Sequence, residues 1–364
     1  MYIIVTRSFP PEVGGMQNLM WGLTCSLAKY NLVKVFADYH EKYKEHDQKV
    51  SFSIDRVGGL KLFRKHRKAY LINEFIKKNK NIKGIIADHW KSIELIKTNK
   101  KKICLIHSKE INHKKGSLGN KRVLKAFKNI DLVISNSEYT KNLAIDIGID
   151  QNKIIVINPG IFPPKDLEKS AIKKAEEILQ EKSPRLITVS RFDKRKNHEK
   201  IIMALKNLKQ IYPNIVYICI GYGEEEENIK NLSKELQLNN NIIFLENIDQ
   251  DLKNALISKS NVFVMPSIIH KTSVEGFGIS YVEAAQYGIP SIGGVDGGAS
   301  DAIKHNETGL ICDGNDLSSI YHSVESFFNN DNFIKFGENA KKFLLDNREL
   351  AEEIETKIKE ALIQ

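Results

Sequence analysis

The sequence has no apolar run long enough to cross a membrane. Stretches such as Ile215–Ile220 are strand-length, far short of the roughly 18 residues that span a bilayer. The opening residues, MYIIVTRSFPP, lack a basic segment followed by an apolar stretch and a small-residue cleavage site, so no secretion leader is expected. Four cysteines, Cys25, Cys104, Cys219 and Cys312, stand far apart in apolar surroundings. That spacing suits neither a disulfide framework nor a metal site and predicts reduced, buried thiols in a cytoplasmic protein. No G-x-G-x-x-G fingerprint follows the first apolar run, so a dinucleotide site is not supported. There is no nucleic-acid recognition motif, and no aromatic-rich sheet pattern of the RNA-binding type.

What is present is a chain of 364 residues, 41% hydrophobic and 27% charged, which fits a globular protein of two ordinary domains. Charge is unevenly spread. Residues 1–165 hold 31 Lys and Arg against 14 Asp and Glu, an excess of 17, while the remainder carries a deficit of 7. A basic half joined to an acidic one suggests that the first faces something anionic, although a solvated lysine-rich surface would look the same residue by residue.

Short β-branched runs alternate with helix-length amphipathic stretches throughout. Strands are expected at Tyr2–Thr6, Val33–Ala37, Gly84–Ala87, Ile103–Ile106, Leu132–Ser135 and Ile154–Ile157. A second set covers Leu186–Val189, Val216–Ile220, Ile242–Leu245, Val262–Met265, Pro290–Gly293 and Leu310–Cys312. Helices are expected between them, for example at Met16–Lys29 and Asn197–Ile211. This is the pattern of an α/β protein with two parallel sheets and crossover helices. The proline-rich break around Pro159, Pro163 and Pro164 divides the domains, 1–165 from 166–345. Residues 346–364 read as a helix that packs back on the N-terminal domain.

Three segments could carry chemistry. FPPEVGGMQ follows the first strand, and Gly14 and Gly15 let backbone approach a ligand at a helix N-terminus; a plain structural turn would use them equally well. In VSRFDKRKNHEKII, Arg191 and Lys196 lie five apart across a strand-to-helix turn, so both cations can converge on phosphate oxygens. In VEGFGISYVEAAQYGIP, Glu275 precedes a Gly-Phe-Gly turn and Glu283 follows eight residues later, inside a helix. The amides of Phe277, Gly278 and Ile279 would be unpaired at that helix start.

With these segments in view, the chain resembles the retaining glycosyltransferases of family 4. The likeness runs nearly end to end: FPPEVGG, SNSEYTK at 135–141, NPG at 158–160, SRFDKRKN at 190–197, GYGEE at 221–225, EGFGISYVEA at 275–284 and TGLICDGND at 308–316. The resemblance implies the GT-B fold, two Rossmann-like parallel-sheet domains facing a central cleft, and a hexosyltransferase that needs no metal or other cofactor. It implies that Arg191, Lys196 and Gly15 hold the donor diphosphate. Glu275, with Gly276, Phe277, Gly278 and Ile279, would meet the donor sugar, and Glu283 the ribose. His107 would contact the sugar near the reacting carbon, so His107 and Glu275 are the expected catalytic pair. Gly14 and Gly15 match the loop that closes over donor and acceptor. Two departures, Glu246 where members have a glycine and Asp301 where they have a longer acid, bear on the base and the sugar.

The acceptor is expected to engage the basic N-terminal half. KLFRKHRKAYLINEFIKK (61–78) places Arg64, Lys65, Arg67 and Lys68 beside Leu62, Phe63, Tyr70 and Leu71, a composition that serves an interfacial helix or an ordinary core helix with a solvated face. With the charge excess it leads to the expectation of a cytoplasmic enzyme, peripheral on the inner face of the membrane. That enzyme would move a hexose or hexuronic acid from a nucleotide-sugar, a UDP-sugar foremost, to a lipid such as diacylglycerol. The alternative is a transferase acting on lipopolysaccharide or other surface-polysaccharide precursors. No nucleic-acid partner is expected, and the sequence is silent on oligomeric state.

Overall fold

The computed structural model of the chain describes residues 1–12, 14–159, 166–346, 356–358 and 360, the side chain of Asn330 excepted. The chain divides into two compact units, Met1–Phe162 with Arg348–Gln364, and Pro163–Asn347.

The first unit carries seven strands: β1 (Tyr2–Val5), β2 (Val33–Asp38), β3 (Ser53–Val57), β4 (Gly84–Ala87), β5 (Lys101–Ile106), β6 (Leu132–Ser135) and β7 (Ile154–Val156). They form one sheet in the order β3-β2-β1-β4-β5-β6-β7, every pair parallel. The second unit carries β8 (Arg185–Val189), β9 (Val216–Ile220), β10 (Ile242–Leu245), β11 (Val262–Met265), β12 (Ser291–Gly294) and β13 (Gly309–Cys312), ordered β10-β9-β8-β11-β12-β13 and again all parallel. Helices connect the strands, among them Gly15–Ala28 after β1 and His198–Ile211 after β8.

Each central strand is apolar on both faces because helices cover both sides of the sheet. In β1, Ile3 and Val5 enter one core cluster while Tyr2 and Ile4 enter the other. In β9, Tyr217 and Cys219 face one way, Val216, Ile218 and Ile220 the opposite way. All four cysteines are unpaired, and Cys104, Cys219 and Cys312 are buried. β3 was not expected from the sequence. It is an edge strand paired with β2 alone, and SIDRV alternates apolar with charged residues, so it offers no continuous apolar run. Most of the tail 346–364 lies outside the described residues, as do Val13 and Gly160; of the tail, Ile358 is fully buried in the first unit's core beside Ile4, Leu27 and Val35.

Two places in this topology matter for binding. Strand order reverses between β1 and β4 in the first sheet, and between β8 and β11 in the second. At such switch points the loops leave in opposite directions and open a crevice at the carboxyl ends of the strands.

Candidate functional site

At the second unit's switch point, β8 runs into a one-turn 3-10 helix, Lys194–Lys196, whose start is capped by the Asp193 carboxylate accepting from the Lys196 amide. Phe192 is committed to the core, which turns its neighbour Arg191 outward. Arg191 is 69% exposed and leans on Asp193, 3.6 Å away. Lys196 goes inward instead: its Nζ donates to Glu275 Oε2 at 2.5 Å and lies 3.2 Å from Met265 Sδ. In this structure Arg191 and Lys196, expected from the sequence to be able to converge on one point, point apart. The cation that joins Lys196 is Arg195, whose Nη1 donates to the same Glu275 oxygen at 2.6 Å. Four basic residues in six gave no local sign of which would turn in; the capped turn decides that.

Burial by itself would raise the Glu275 pKa, but the charges of Lys196 and Arg195 overcome it and hold the carboxyl at about 2. Two cations on one carboxylate, with Asp193 between Arg191 and Arg195, leave one net positive charge in the cluster. Arg195 Nε and Ser267 Oγ are buried there without a hydrogen-bond partner among the described residues. Glu275 is fixed from behind by the loop at Gly297 and Gly298, just before Asp301. The Gly298 amide donates to the Glu275 carbonyl at 2.8 Å, and a Cβ on Gly297 (φ +102°) would sit 2.4 Å from that oxygen.

Directly after Glu275 the chain turns into the helix Ile279–Gln286. Gly278 caps it at φ +89°, where a Cβ would strike the Tyr281 ring at 2.3 Å, so the turn requires glycine. The amides of Phe277, Gly278 and Ile279 donate to no acceptor among the described residues, as expected at a helix start. Glu283, on the same helix, is not part of the cluster; it pairs with Lys253 at 3.0 Å and is partly exposed.

In the first unit, His107 follows β5. Its Nε2 lies 3.2 Å from the Asp88 carbonyl, an acceptor only, so Nε2 carries a proton. The His107 amide donates to Glu110 Oε1 at 2.6 Å. Leu19 and Leu23 of the helix that Gly15 begins line an apolar pocket with Leu105, Ile134 and Ile157, and His107 stands at its wall.

The helix Lys61–Lys78 requires a correction. Lys68 lies on its buried face with Ala69 and Ile72, only 4% exposed, and its ammonium bonds Asp38 and the Thr6 carbonyl. Arg64 also pairs with Asp38, at 3.1 Å, and Lys65 with Glu94, at 2.6 Å. Arg67 donates to the Gly58 carbonyl. Lys68 is thus no surface contact, and Arg64 and Lys65 are tied to the fold. What the helix leaves exposed is a face of Leu62, Phe63, His66, Arg67, Tyr70 and Leu71, with Leu62 81% and Tyr70 64% exposed. No described helix is long and apolar enough to cross a membrane.

Residues 169–343 match the family described as glycosyl transferases group 1. A relative from Mycolicibacterium smegmatis, a GDP-mannose-dependent alpha-(1-6)-phosphatidylinositol monomannoside mannosyltransferase, is 23% identical over 88% of this chain and 87% of its own. Among solved structures, Anabaena HepE in complex with UDP superposes with a TM-score of 0.81 at 17% identity, covering 99% of each chain. A glycosyltransferase from Rickettsia africae superposes at 0.78 with 22% identity, covering 100% of this chain and 99% of its own. The second unit is thus similar to the group 1 glycosyl transferases over residues 169–343, and both units have the GT-B fold of two parallel-sheet Rossmann-like domains.

Proposed function

We propose that the enzyme transfers a hexose from a nucleoside-diphosphate sugar to a membrane lipid, with retention of anomeric configuration. The observation that carries this reading is the buried Arg195–Lys196–Glu275 cluster beside three unpaired amides at the second switch point. Lys196, the exposed arm of Arg191 and the amides of Phe277 to Ile279 take the diphosphate. Glu275 and Gly276 take the sugar hydroxyls, and Glu283 takes the ribose once Lys253 releases it. On the first unit, His107 offers Nδ1 to substrate. In the reaction the bond from the anomeric carbon to the diphosphate breaks, the acceptor oxygen bonds to that carbon, and the acceptor proton passes to the departing diphosphate. Fixed positive charge and aligned amides steady that leaving group, a task for which other enzymes use a metal ion.

A lipid acceptor is supported by the exposed Leu62, Phe63, Tyr70 and Leu71 face, interleaved with His66 and Arg67, on a half of the chain with a strong basic excess. Such a face inserts shallowly and is drawn to anionic headgroups, which supports a position on the inner surface of the cytoplasmic membrane. The M. smegmatis relative uses GDP-mannose by its name and HepE holds UDP, so the nucleotide is decided by assay. Nucleotide release is measured with UDP-glucose, UDP-glucuronate and GDP-mannose, with and without vesicles containing diacylglycerol or phosphatidylinositol. One donor should be turned over faster when lipid is present. Release from none of them, or release stimulated only by water-soluble sugars, would overturn the reading.

A further inference from the structure

We propose that the first unit binds an anionic group of the acceptor, a phosphate mono- or diester, on Arg7 and Lys91 at the switch point of its sheet. The inference rests on the glycosyltransferase reading above and identifies the acceptor's chemical class.

Arg7 follows β1 and Lys91 follows β4, adjacent strands whose ends are in register at Val5 and Ala87. Asp88 binds the two ends together: Oδ2 accepts from the Arg7 amide at 2.8 Å and from Thr6 Oγ1 at 3.0 Å, and Oδ1 accepts from Ser92 Oγ at 2.7 Å. Six cations surround this edge, and they are not equivalent. Arg64 and Lys68 share Asp38; Lys65 and Arg122 share Glu94. Arg7 and Lys91 make no ion pair with any carboxylate among the described residues. Counting Arg7, Arg64, Lys65, Lys68, Lys91 and Arg122 against Asp38, Asp88, Glu94 and Glu110, whose carboxylate accepts from the His107 amide, leaves two uncompensated positive charges at the mouth of the sheet. Uncompensated charge of one sign held in a crevice is a standing attraction for an ion of the other.

Lys91 is also held in place before any ligand arrives. Lys91 Nζ lies 5.1 Å from the centroid of the Trp90 ring and the Arg122 guanidinium 5.2 Å from the same ring. Trp90 is buried, and its Nε1 donates to the Glu110 carbonyl at 3.0 Å. A side chain so anchored loses little freedom when it binds. His89, between Arg7 and Lys91, is kept neutral by burial and then by the charges of Arg7, Lys91 and His107, which hold its pKa at about 2. His107 reaches the Asp88 carbonyl. A phosphate on Arg7 and Lys91 therefore lies near His107.

Lipid headgroups and soluble sugar phosphates share this chemistry, and the experiment separates them. The full-length enzyme, with whichever donor it uses, is assayed on phosphatidylcholine vesicles carrying phosphatidylinositol or, in a parallel arm, neutral diacylglycerol. Glycerol 3-phosphate and glycerol are tested as soluble inhibitors. The wild type should favour the phosphate-bearing lipid, and glycerol 3-phosphate, not glycerol, should compete with the acceptor. In Arg7→Gln/Lys91→Met the KM for the phosphate-bearing lipid should rise at least tenfold and the preference over diacylglycerol should collapse towards one. Inhibition by glycerol 3-phosphate should disappear, while acceptor-independent nucleotide release stays at the wild-type rate. Arg7→Lys/Lys91→Arg should recover most of the preference. Transfer to glycerol 3-phosphate itself would identify the anion's source as soluble and still support the site. The proposal is overturned if the double variant keeps its preference, or if its loss falls on donor KM and acceptor-independent release. An enzyme that releases no nucleotide from any donor would refute the underlying reading instead.

Discussion

Arg195 and Glu275 stand 80 residues apart in sequence and 2.6 Å apart in space, on the carboxylate oxygen that Lys196 also holds. The triad is unsymmetrical, since one acid serves two cations. Glu275→Gln leaves Lys196 buried without a paired carboxylate and Arg195 with only Asp193, 3.8 Å away, a loss of about 3–5 kcal/mol. Arg195→Met leaves the Lys196–Glu275 pair intact and should cost less, about 1–3 kcal/mol. Urea denaturation of both variants checks the order, and a less stable Arg195→Met would refute the asymmetry. Lys196→Ala, by the same reasoning, should lower stability as well as activity.

Glu283→Ala should separate function from folding. Its pair with Lys253 is partly exposed, so stability should change by less than about 1 kcal/mol. Loss of its contact to the ribose should lower donor kcat/KM by the equivalent of about 2–4 kcal/mol. Steady-state kinetics beside a thermal melt tests both halves, and near-parental turnover would remove Glu283 from the site.

Stability should fall on acidification in two stages. His198, buried between Ser190 and the Tyr217 hydroxyl, is held at about pKa 3 by burial and by Lys196, and His89 at about 2. Both lie below the ordinary 6.5, so in that interval the unfolded chain binds protons that the folded chain refuses. Stability is thus full above pH 6.5 and drops below it by up to ~1.4 kcal/mol per pH unit for each histidine. Glu275, ordinarily near 4.5 and here near 2, adds a further loss below pH 4.5. Denaturation at a series of pH values should show His198→Gln with about half the parental slope between pH 6.5 and 4.5; an unchanged slope would contradict this account.

Vesicle binding should depend on the apolar face of the helix Lys61–Lys78 more than on its inward lysine. Replacing Leu62, Phe63 and Tyr70 with serine should cut co-sedimentation with anionic vesicles at least tenfold and leave the melting temperature nearly unchanged, because all three are exposed. Lys68→Ser should do the reverse, destabilising the fold by leaving Asp38 with Arg64 alone and the Thr6 carbonyl without its donor. Binding should weaken as salt rises, since exposed attraction is screened over about 8–10 Å.

Retention of configuration predicts an α-linked product from an α-linked donor. The anomeric proton coupling in the NMR spectrum of the product reads this directly, and a β product would indicate an inverting displacement.

Much of this protein was legible before any coordinates. Strand-length β-branched runs separated by amphipathic stretches placed twelve of the thirteen strands among the described residues, because a strand covered on both faces must be apolar along its length. The Gly-Phe-Gly turn and the strand-to-helix position of Lys196 were visible for a similar local reason: glycine conformation and helix starts are properties of a few consecutive residues. β3 escaped because an edge strand need not be apolar throughout. Arg195, Lys68 and the Arg7–Lys91 pair escaped for another reason. Whether a basic side chain turns inward depends on which carboxylate the fold brings to it, Glu275 from 80 residues away for Arg195 and Asp38 from 30 for Lys68, or on its being left with none. Local composition sets which residues can form a strand, a turn or a helix face; the pairing of charges is decided only when distant segments meet, because the energy of a buried ion belongs to the pair and not to either residue.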